Sequence, residues 1–154
     1  MNELITVAVI DSGNGGHDDL HVVVQDVMEG YFDTYYFWLK LESVGSKDIK
    51  AGVASLIAYW IACISNSSPN DIIYLPIDFS DEYTGCLRVE KLSGRLKVTY
   101  GYSLTEGYSV NPLDPGDYYN SIADFKAQAT EELLVSEADL IQSLHRAIDH
   151  LKKM

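Results

Sequence analysis

The chain has 154 residues, of which 47% are hydrophobic, so its composition predicts one folded domain with its own core and argues against a disordered chain. Its formal net charge of −12 disfavours nucleic acid and anionic membranes as ligands, because both are polyanions that would repel it. This charge fits a basic protein as partner, or no partner, better than a polyanion.

The cysteines and the apolar segments indicate a cytoplasmic protein. Cys63 and Cys86 both stand in apolar sequence, which predicts buried free thiols in a reducing compartment. The N-terminal residues lack the positive charge of a secretory signal. The uncharged run at residues 51–70 becomes polar after Ile64, which leaves about 14 apolar residues where a membrane span needs about 20. We therefore expect no membrane as a partner.

The first third of the chain predicts three antiparallel strands. Residues 4–10 form a nearly continuous apolar run, residues 20–27 are rich in valine, and residues 34–42 are rich in aromatic strand formers. Glu29-Gly30 is expected to form the tight turn between the second and third strands. A helix over residues 18–29 is the alternative, since two aspartates would suit its first turn.

A buried central helix is predicted over residues 49–64. Large apolar side chains recur there at helical spacing, and four alanines line the opposite face, which lets another element approach closely. Such a helix is expected to lie across the sheet. The apolar positions are Ile49, Val53, Leu56, Ile57, Trp60, Ile61 and Ile64.

The strongest structural signal is a hairpin around Ser93-Gly94. Glycine accepts the positive φ that a two-residue hairpin turn requires. This loop length places apolar side chains on one face of the hairpin and charged ones on the other, with Lys91 as the one misplaced charge. The expected pairs are Leu92 with Arg95, Glu90 with Lys97, Val89 with Val98 and Arg88 with Thr99.

The C-terminal third combines an irregular stretch with two helices. Turns that contain proline and glycine punctuate residues 103–119. Ser121 and Ser136 are each followed three residues later by an aspartate, which is typical of a helix N-terminal cap. The whole pattern predicts a single α+β domain: a mainly antiparallel sheet of about six strands, a buried central helix and two C-terminal helices.

No motif predicts a catalytic residue, a metal site or a cofactor. Gly13, Gly15 and Gly16 follow a strand as in a phosphate-binding loop, but no lysine accompanies them. His17 and His21 would share one face of a helix, but no third metal ligand stands nearby. We therefore expect neither a cofactor nor a bound transition metal, and we interpret the four histidines as surface residues.

Acidic residues are segregated from basic ones along the chain. Residues 1–39 contain seven acidic residues, residues 66–87 and 98–125 contain four each, and none of these three acidic stretches contains lysine or arginine. Such segregation predicts a surface patch of one sign, to which tyrosines in the same stretches would add aromatic anchors. Alternatively, those tyrosines attach the irregular stretch to the body of the protein. The predicted partner-binding residues are Asp78, Asp81, Glu82 and Tyr83 in a strand connection, with Tyr108, Asp114, Asp117, Tyr118 and Tyr119 in the irregular stretch.

The segments IDFSDEYTGC and EGYSVNPLDPGDYY, together with small size, acidity and few motifs, resemble the immunity proteins of bacterial toxin–immunity systems. The resemblance implies a protein that neutralises a cognate toxin, frequently a basic nuclease, by covering it with carboxylates and aromatic side chains. Because the resemblance lies in the character of the whole chain, it assigns no individual residue.

Two other functions remain open on the sequence. Asp78, Asp81 and Glu82 could supply the acid and the base of a small hydrolase. Alternatively, the chain could be an adaptor that forms homodimers or larger homo-oligomers through its apolar helix or an open sheet edge. Zinc or calcium in elemental analysis would favour an enzyme or a metal site, whereas co-purification with a basic protein would favour the inhibitor.

Overall fold

Two antiparallel sheets and four α-helices are present in the computed structural model, which describes residues 3–10, 19–128 and 130–153. The first sheet has three strands and the second has five. The predicted α+β class is therefore confirmed, with eight strands among the described residues where about six were expected.

The first sheet consists of β1 (Ile5–Val9), β2 (Leu20–Val24) and β3 (Met28–Phe32), in that order. Both pairings are antiparallel. The strand predicted over residues 20–27 is thus confirmed for its first five residues. The alternative helix over residues 18–29 does not form in the described part of that segment.

The turn predicted at Glu29-Gly30 is wrong, because the chain reverses three residues earlier. Asp26 adopts the left-handed backbone conformation, with a φ of 63°, and Val27 N donates a hydrogen bond to Val24 O at 3.0 Å. Aspartate tolerates this conformation better than most residues do. Glu29 and Gly30 therefore lie inside β3.

The strand predicted over residues 34–42 is also wrong, since this segment is helix α1 (Tyr35–Ser43). Its aromatic residues favour a strand by propensity, but Phe37 and Leu41 lie four positions apart, share one helical face and are buried. The ring of Phe37 packs edge-on against Phe79 of the second sheet, with 5.6 Å between the ring centroids. Tertiary packing overrides the local preference here.

The second sheet contains the predicted hairpin. Its register is the expected one, with Val89 opposite Val98 and Glu90 opposite Lys97. Gly94 has the positive φ, 72°, that the turn requires. The strands are β4 (Ile72–Phe79), β5 (Thr84–Lys91), β6 (Arg95–Ser103), β7 (Lys126–Ala127) and β8 (Leu133–Ser136), in the order β4-β5-β6-β7 with β8 also paired to β6.

The predicted central helix is α2 (Ile49–Asn66). Asp48 caps its N-terminus, because the carboxylate accepts a hydrogen bond from Ala51 N at 3.0 Å. Trp60 Nε1 donates to Pro76 O at 2.9 Å, which ties the helix to β4. By length and composition alone α2 could cross a membrane, but the buried core helix of a soluble protein meets the same criterion.

The charge of Lys91 on the apolar face of the hairpin is explained by the end of α2. Its Nζ atom donates to Ser67 O at 2.7 Å and to Ile64 O at 3.2 Å, and it forms an ion pair with Glu137 at 2.8 Å. The last carbonyls of a helix lack partners within the helix and carry the negative end of its dipole. An ammonium group at this position is therefore stabilising.

The two predicted C-terminal helices differ in how well they match expectation. The first, α3 (Tyr118–Ser121), is a single turn that ends at Ser121 instead of beginning there. Asp124 does not cap a helix, because its carboxylate accepts a hydrogen bond from Ser103 Oγ at 2.7 Å. The second, α4 (Glu137–Lys153), begins as predicted, with Ser136 Oγ accepting a hydrogen bond from Asp139 N at 3.0 Å.

The core lies between the two sheets and helices α2 and α4. Trp60 of α2 and the side chains of Leu140 and Leu144 of α4 surround the sheet face that carries Leu87 and Val98. The central helix, which was expected to lie across the sheet, therefore covers this face together with α4.

Helix α4 also closes part of the outer edge of β1. The hydroxyl of Ser143 accepts a hydrogen bond from Ile5 N at 3.2 Å and lies 3.3 Å from Ile5 O, to which it can donate. This contact shortens the edge that remains open for pairing with another strand.

Both cysteines are free and buried, as predicted. Burial raises the pKa of the Cys63 thiol and raises that of Cys86 to about 12. Neither side chain is a thiolate nucleophile at neutral pH.

Candidate partner-binding site

Residues from all three acidic stretches meet at the end of the second sheet, where β4 passes into β5. The hydroxyl of Tyr36, from the first stretch, donates a hydrogen bond to the carboxylate of Asp81, from the second. Gly107 N, from the third, donates to Ser80 O at 2.6 Å. We call this group the acidic–tyrosine cluster; it comprises Asp33, Tyr35, Tyr36, Asp78, Asp81, Glu82, Tyr83 and Tyr108.

Asp78 is the buried carboxylate of the cluster, with only 7% of its surface exposed. The pairing of β4 with β5 shifts register between Pro76 and Asp78. Burial raises the pKa of Asp78 to about 6; Tyr83 and Ser80 oppose the shift through hydrogen bonds, and the negative charge of Asp33 adds to it. The carboxyl is therefore mostly ionised at neutral pH although it is shielded from water.

An open cavity of about 540 Å³ lies at the start of α1, where it is lined by residues that follow Asp78 in the chain, Phe79 to Asp81. The hydrogen bond to the carboxylate of Asp81 raises the pKa of Tyr36 to about 12. The cavity wall therefore combines carboxylates with neutral tyrosine rings, a combination that suits a cationic side chain. The lining residues are Asp33, Tyr35, Tyr36, Phe79, Ser80 and Asp81.

Tyr108 joins the cluster because the loop that carries it packs against Ser80. A Cβ atom at Gly107 would clash with the backbone oxygen of Ser80, so only glycine permits this approach. The loop leaves the side chain of Tyr108 exposed and places it near enough to Tyr36 to act on it electrostatically. Tyr83, on the other side, packs edge-on against Tyr102, with 6.1 Å between ring centroids.

Three carboxylates of the cluster lack a cationic partner among the described residues. In the described part of the chain, Asp78, Asp81 and Glu82 form no ion pair with a lysine or an arginine. Asp81 and Glu82 are exposed. The arrangement can therefore attract and hold positively charged groups of a partner.

The structure divides the nine predicted binding residues into two groups. Asp78, Asp81, Glu82, Tyr83 and Tyr108 belong to the acidic–tyrosine cluster. The other four, Asp114, Asp117, Tyr118 and Tyr119, lie on a segment that docks against α2.

Within the second group, only the aspartates are fully exposed. Tyr59 of α2 donates a hydrogen bond to Gly116 O at 2.8 Å and accepts one from Tyr119 N at 3.1 Å, so Tyr119 is half-buried. Tyr118 is only 3% exposed, and burial beside the Cys86 thiol raises its pKa above the ordinary value. The structure thus places Tyr118 in the core rather than on the surface.

Asp33, Tyr35 and Tyr36 belong to the cluster and were missed from the sequence. They fall in the first acidic stretch, so the charge pattern contained the signal. These residues were missed because residues 34–42 were predicted to form a strand. The helix that forms instead places Tyr36 beside Asp81.

The histidines show no metal-binding arrangement in the region that can be described. His21 stacks on Tyr31 with 4.5 Å between ring centroids, and its Nε2 atom lies 2.8 Å from Glu29. No group of three or more potential ligands is present among the described residues. His17 and the glycine run at Gly13, Gly15 and Gly16 lie outside them.

Comparison of the chain with known protein families, with curated proteins and with solved structures finds no match. The acidic–tyrosine cluster is therefore the feature of the molecule that indicates a function.

Proposed function

We propose that this protein binds and neutralises a basic partner, as an immunity protein that occludes a cognate bacterial toxin in the cytoplasm. One observation carries the proposal: three stretches without lysine or arginine, far apart in sequence, converge on one surface of carboxylates and tyrosines. A fold gains nothing from gathering like charges, since each repels the others. A cationic partner supplies the missing compensation.

The proposed mechanism is occlusion. Asp81 and Glu82, which are exposed, attract the lysines and arginines of the toxin and accelerate association. The tyrosine rings then exclude water from the contact and slow dissociation. A nuclease is the toxin class that fits best, because its substrate groove is basic and the carboxylates would take the places of substrate phosphates.

Asp78 gives this mechanism a measurable property. A cation placed beside it favours its ionised form and lowers its pKa from about 6. Binding should therefore release a proton near pH 6, and affinity should rise as the pH increases through this value. Asp78→Asn should abolish that pH dependence.

The direct experiment titrates the protein with the product of the gene immediately upstream, expressed in a catalytically inactive form. Asp81→Asn combined with Glu82→Gln should slow association and flatten its dependence on salt. The matched control is Glu131→Gln combined with Asp149→Asn, which changes the net charge equally at exposed sites outside the cluster. If the two proteins do not bind, or if both double variants behave alike, the proposal fails.

One observation favours a second candidate, a small hydrolase. A carboxyl with a pKa near 6, as at Asp78, can act as a general acid or base near neutral pH, and its neighbours Phe79 and Ser80 line an open cavity. A hydrolytic activity that Asp78→Asn removes while the protein stays folded would establish this function in place of inhibition. A panel of chromogenic glycosides is the first set of substrates to assay.

A further inference from the structure

We propose that the outward face of α1, formed by Tyr35, Trp38 and Leu39, is the apolar centre of the surface that contacts the basic partner. This inference rests on the proposed function and adds to it the kind of partner surface that is recognised. The partner would present an aliphatic or aromatic patch bordered by lysines and arginines.

Helix α1 is apolar on two faces, and the two differ in burial. Phe37 and Leu41 are buried, whereas Trp38 is 37% exposed and Leu39 is 43% exposed. Tyr35, Trp38 and Leu39 stand at positions i, i+3 and i+4, so they form one contiguous patch. Large apolar side chains grouped in this way on a surface are typical of interaction sites.

The patch is continuous with the acidic–tyrosine cluster. Tyr35 belongs to both, since it lines the cavity that also contains Asp33 and Asp81. At the opposite end of the helix, the side chains of Leu41 and Leu113 both pack against Gly52 of α2. The exposed Asp114 follows directly after Leu113.

The net charge of the chain favours a basic partner over a second copy of the chain at this patch. A second copy of the chain would bring another net charge of −12 and a second acidic–tyrosine cluster to the interface, which opposes self-association. A basic partner reverses this repulsion into attraction. An apolar centre with a charged rim is the usual anatomy of a protein–protein interface. Arginine in particular can pair with a carboxylate while stacking on a tryptophan ring.

The two tryptophans provide a direct test. Trp38 is exposed, whereas Trp60 is buried and donates a hydrogen bond to Pro76 O. The protein labelled with 5-fluorotryptophan should show two ¹⁹F resonances. The Trp38→Phe variant assigns them, because its spectrum lacks the Trp38 resonance. On addition of the unlabelled, inactive upstream gene product, the Trp38 resonance should shift and the Trp60 resonance should stay in place.

Affinity measurements supply the matched comparison. Trp38→Ala should weaken binding by at least about 10-fold, the effect of an interface hot spot. Leu39→Ala should weaken binding by several-fold, whereas Leu134→Ala should leave it unchanged. Leu134 is 48% exposed on β8, so the control makes the same chemical change at similar exposure on another surface. Melting temperatures should agree among the three variants.

The outcomes separate this inference from the proposed function. If binding depends on Asp81 and Glu82 but the Trp38 resonance does not move, the inference is overturned and the inhibitor function stands. If the partner does not bind at all, both fall. If the Trp38 resonance shifts with concentration in the absence of partner, and sedimentation shows a dimer, a second copy covers the patch and the inference is overturned.

Discussion

The two ends of the second sheet use charge in opposite ways. At the Ser93-Gly94 end, Lys91 binds Glu137 and the last carbonyls of α2, while Arg88 pairs with Glu90 at 3.5 Å. At the other end, where β4 passes into β5, Asp78, Asp81 and Glu82 find no lysine or arginine in the described residues. The same sheet therefore has one end at which the charges are compensated and one at which Asp78, Asp81 and Glu82 are not, among the described residues.

This difference separates the charges that stabilise the fold from those that do not. Charges at the hairpin end connect the sheet to α2 and α4 and contribute to the stability of the fold. At the opposite end, Asp78, Asp81 and Glu82 repel one another without a lysine or arginine partner among the described residues, and the proposed partner would supply the compensating charge. Each of the following predictions tests one side of this contrast.

The largest effect on stability is expected in the core that supports both ends. Ile57→Ala should lower the free energy of unfolding by ~2–5 kcal/mol, because the side chain is fully buried in α2. Ile61→Ala makes the same change at a half-buried position of the same helix and should cost only about 1 kcal/mol. Chemical denaturation measures both variants. Equal losses would show that α2 does not bury the predicted face.

The next largest effect concerns Asp78 and depends on pH. The pKa of Asp78 is raised from an ordinary value of about 3.9 to about 6. Between these two pH values the carboxyl is mostly protonated in the folded protein and mostly ionised in the unfolded chain. Wild-type stability should therefore fall as the pH rises from about 4 to 6, and this contribution should be lost above pH 6.

The amide of Asp78→Asn cannot ionise, so this variant should lack that dependence. At pH 8 it should be more stable than the wild type by at most roughly 3 kcal/mol, the free energy of a shift of two pKa units. Thermal or urea unfolding of both proteins between pH 4 and pH 8 gives the difference. A constant difference across this range would contradict the raised pKa.

Lys91→Met should destabilise the protein by roughly 1–3 kcal/mol. The variant removes the ion pair of the half-buried Glu137 carboxylate and the hydrogen bond to Ser67 O, whereas Ile64 O keeps the donor that the Ser67 hydroxyl supplies. Arg95→Met, on the same hairpin but exposed, should change stability by less than about 0.5 kcal/mol. Similar losses in both variants would mean that the hairpin end is not stabilised by specific compensation.

The smallest effect on stability is expected at the uncompensated end. Asp81→Asn combined with Glu82→Gln should change the free energy of unfolding by less than about 0.5 kcal/mol, because both side chains are exposed and neither has a cationic partner among the described residues. The asparagine can still accept the hydrogen bond from Tyr36. A loss above about 1 kcal/mol would assign these carboxylates to the fold instead of to binding.

Local patterns were sufficient for several elements of the fold. The hairpin register follows from a single glycine turn and strict alternation, and α2 follows from apolar residues at helical spacing. The start of α4 follows from the cap at Ser136. In each case the deciding contacts lie within a few residues of one another, so one stretch of sequence contains them all.

Other features of the fold depended on contacts between distant segments. Residues 34–42 form a helix because Phe37 packs on Phe79, and Asp124 leaves its cap position because Ser103 offers a donor. Tyr118 is buried because its turn docks on the second sheet, although its neighbours in sequence are polar. Local propensity differs by too little between these alternatives to outweigh burial.

The sequence by itself determined the α+β class, the hairpin and the existence of three stretches without lysine or arginine. Only the tertiary structure decided that these stretches meet, since Tyr36 reaches Asp81 and Gly107 reaches Ser80 across the fold. It also decided that Asp78 is shielded while Asp81 is open to solvent. The physical reason is that composition sets the total charge, whereas repulsion, desolvation and attraction depend on distance and burial, which exist only once the chain is folded.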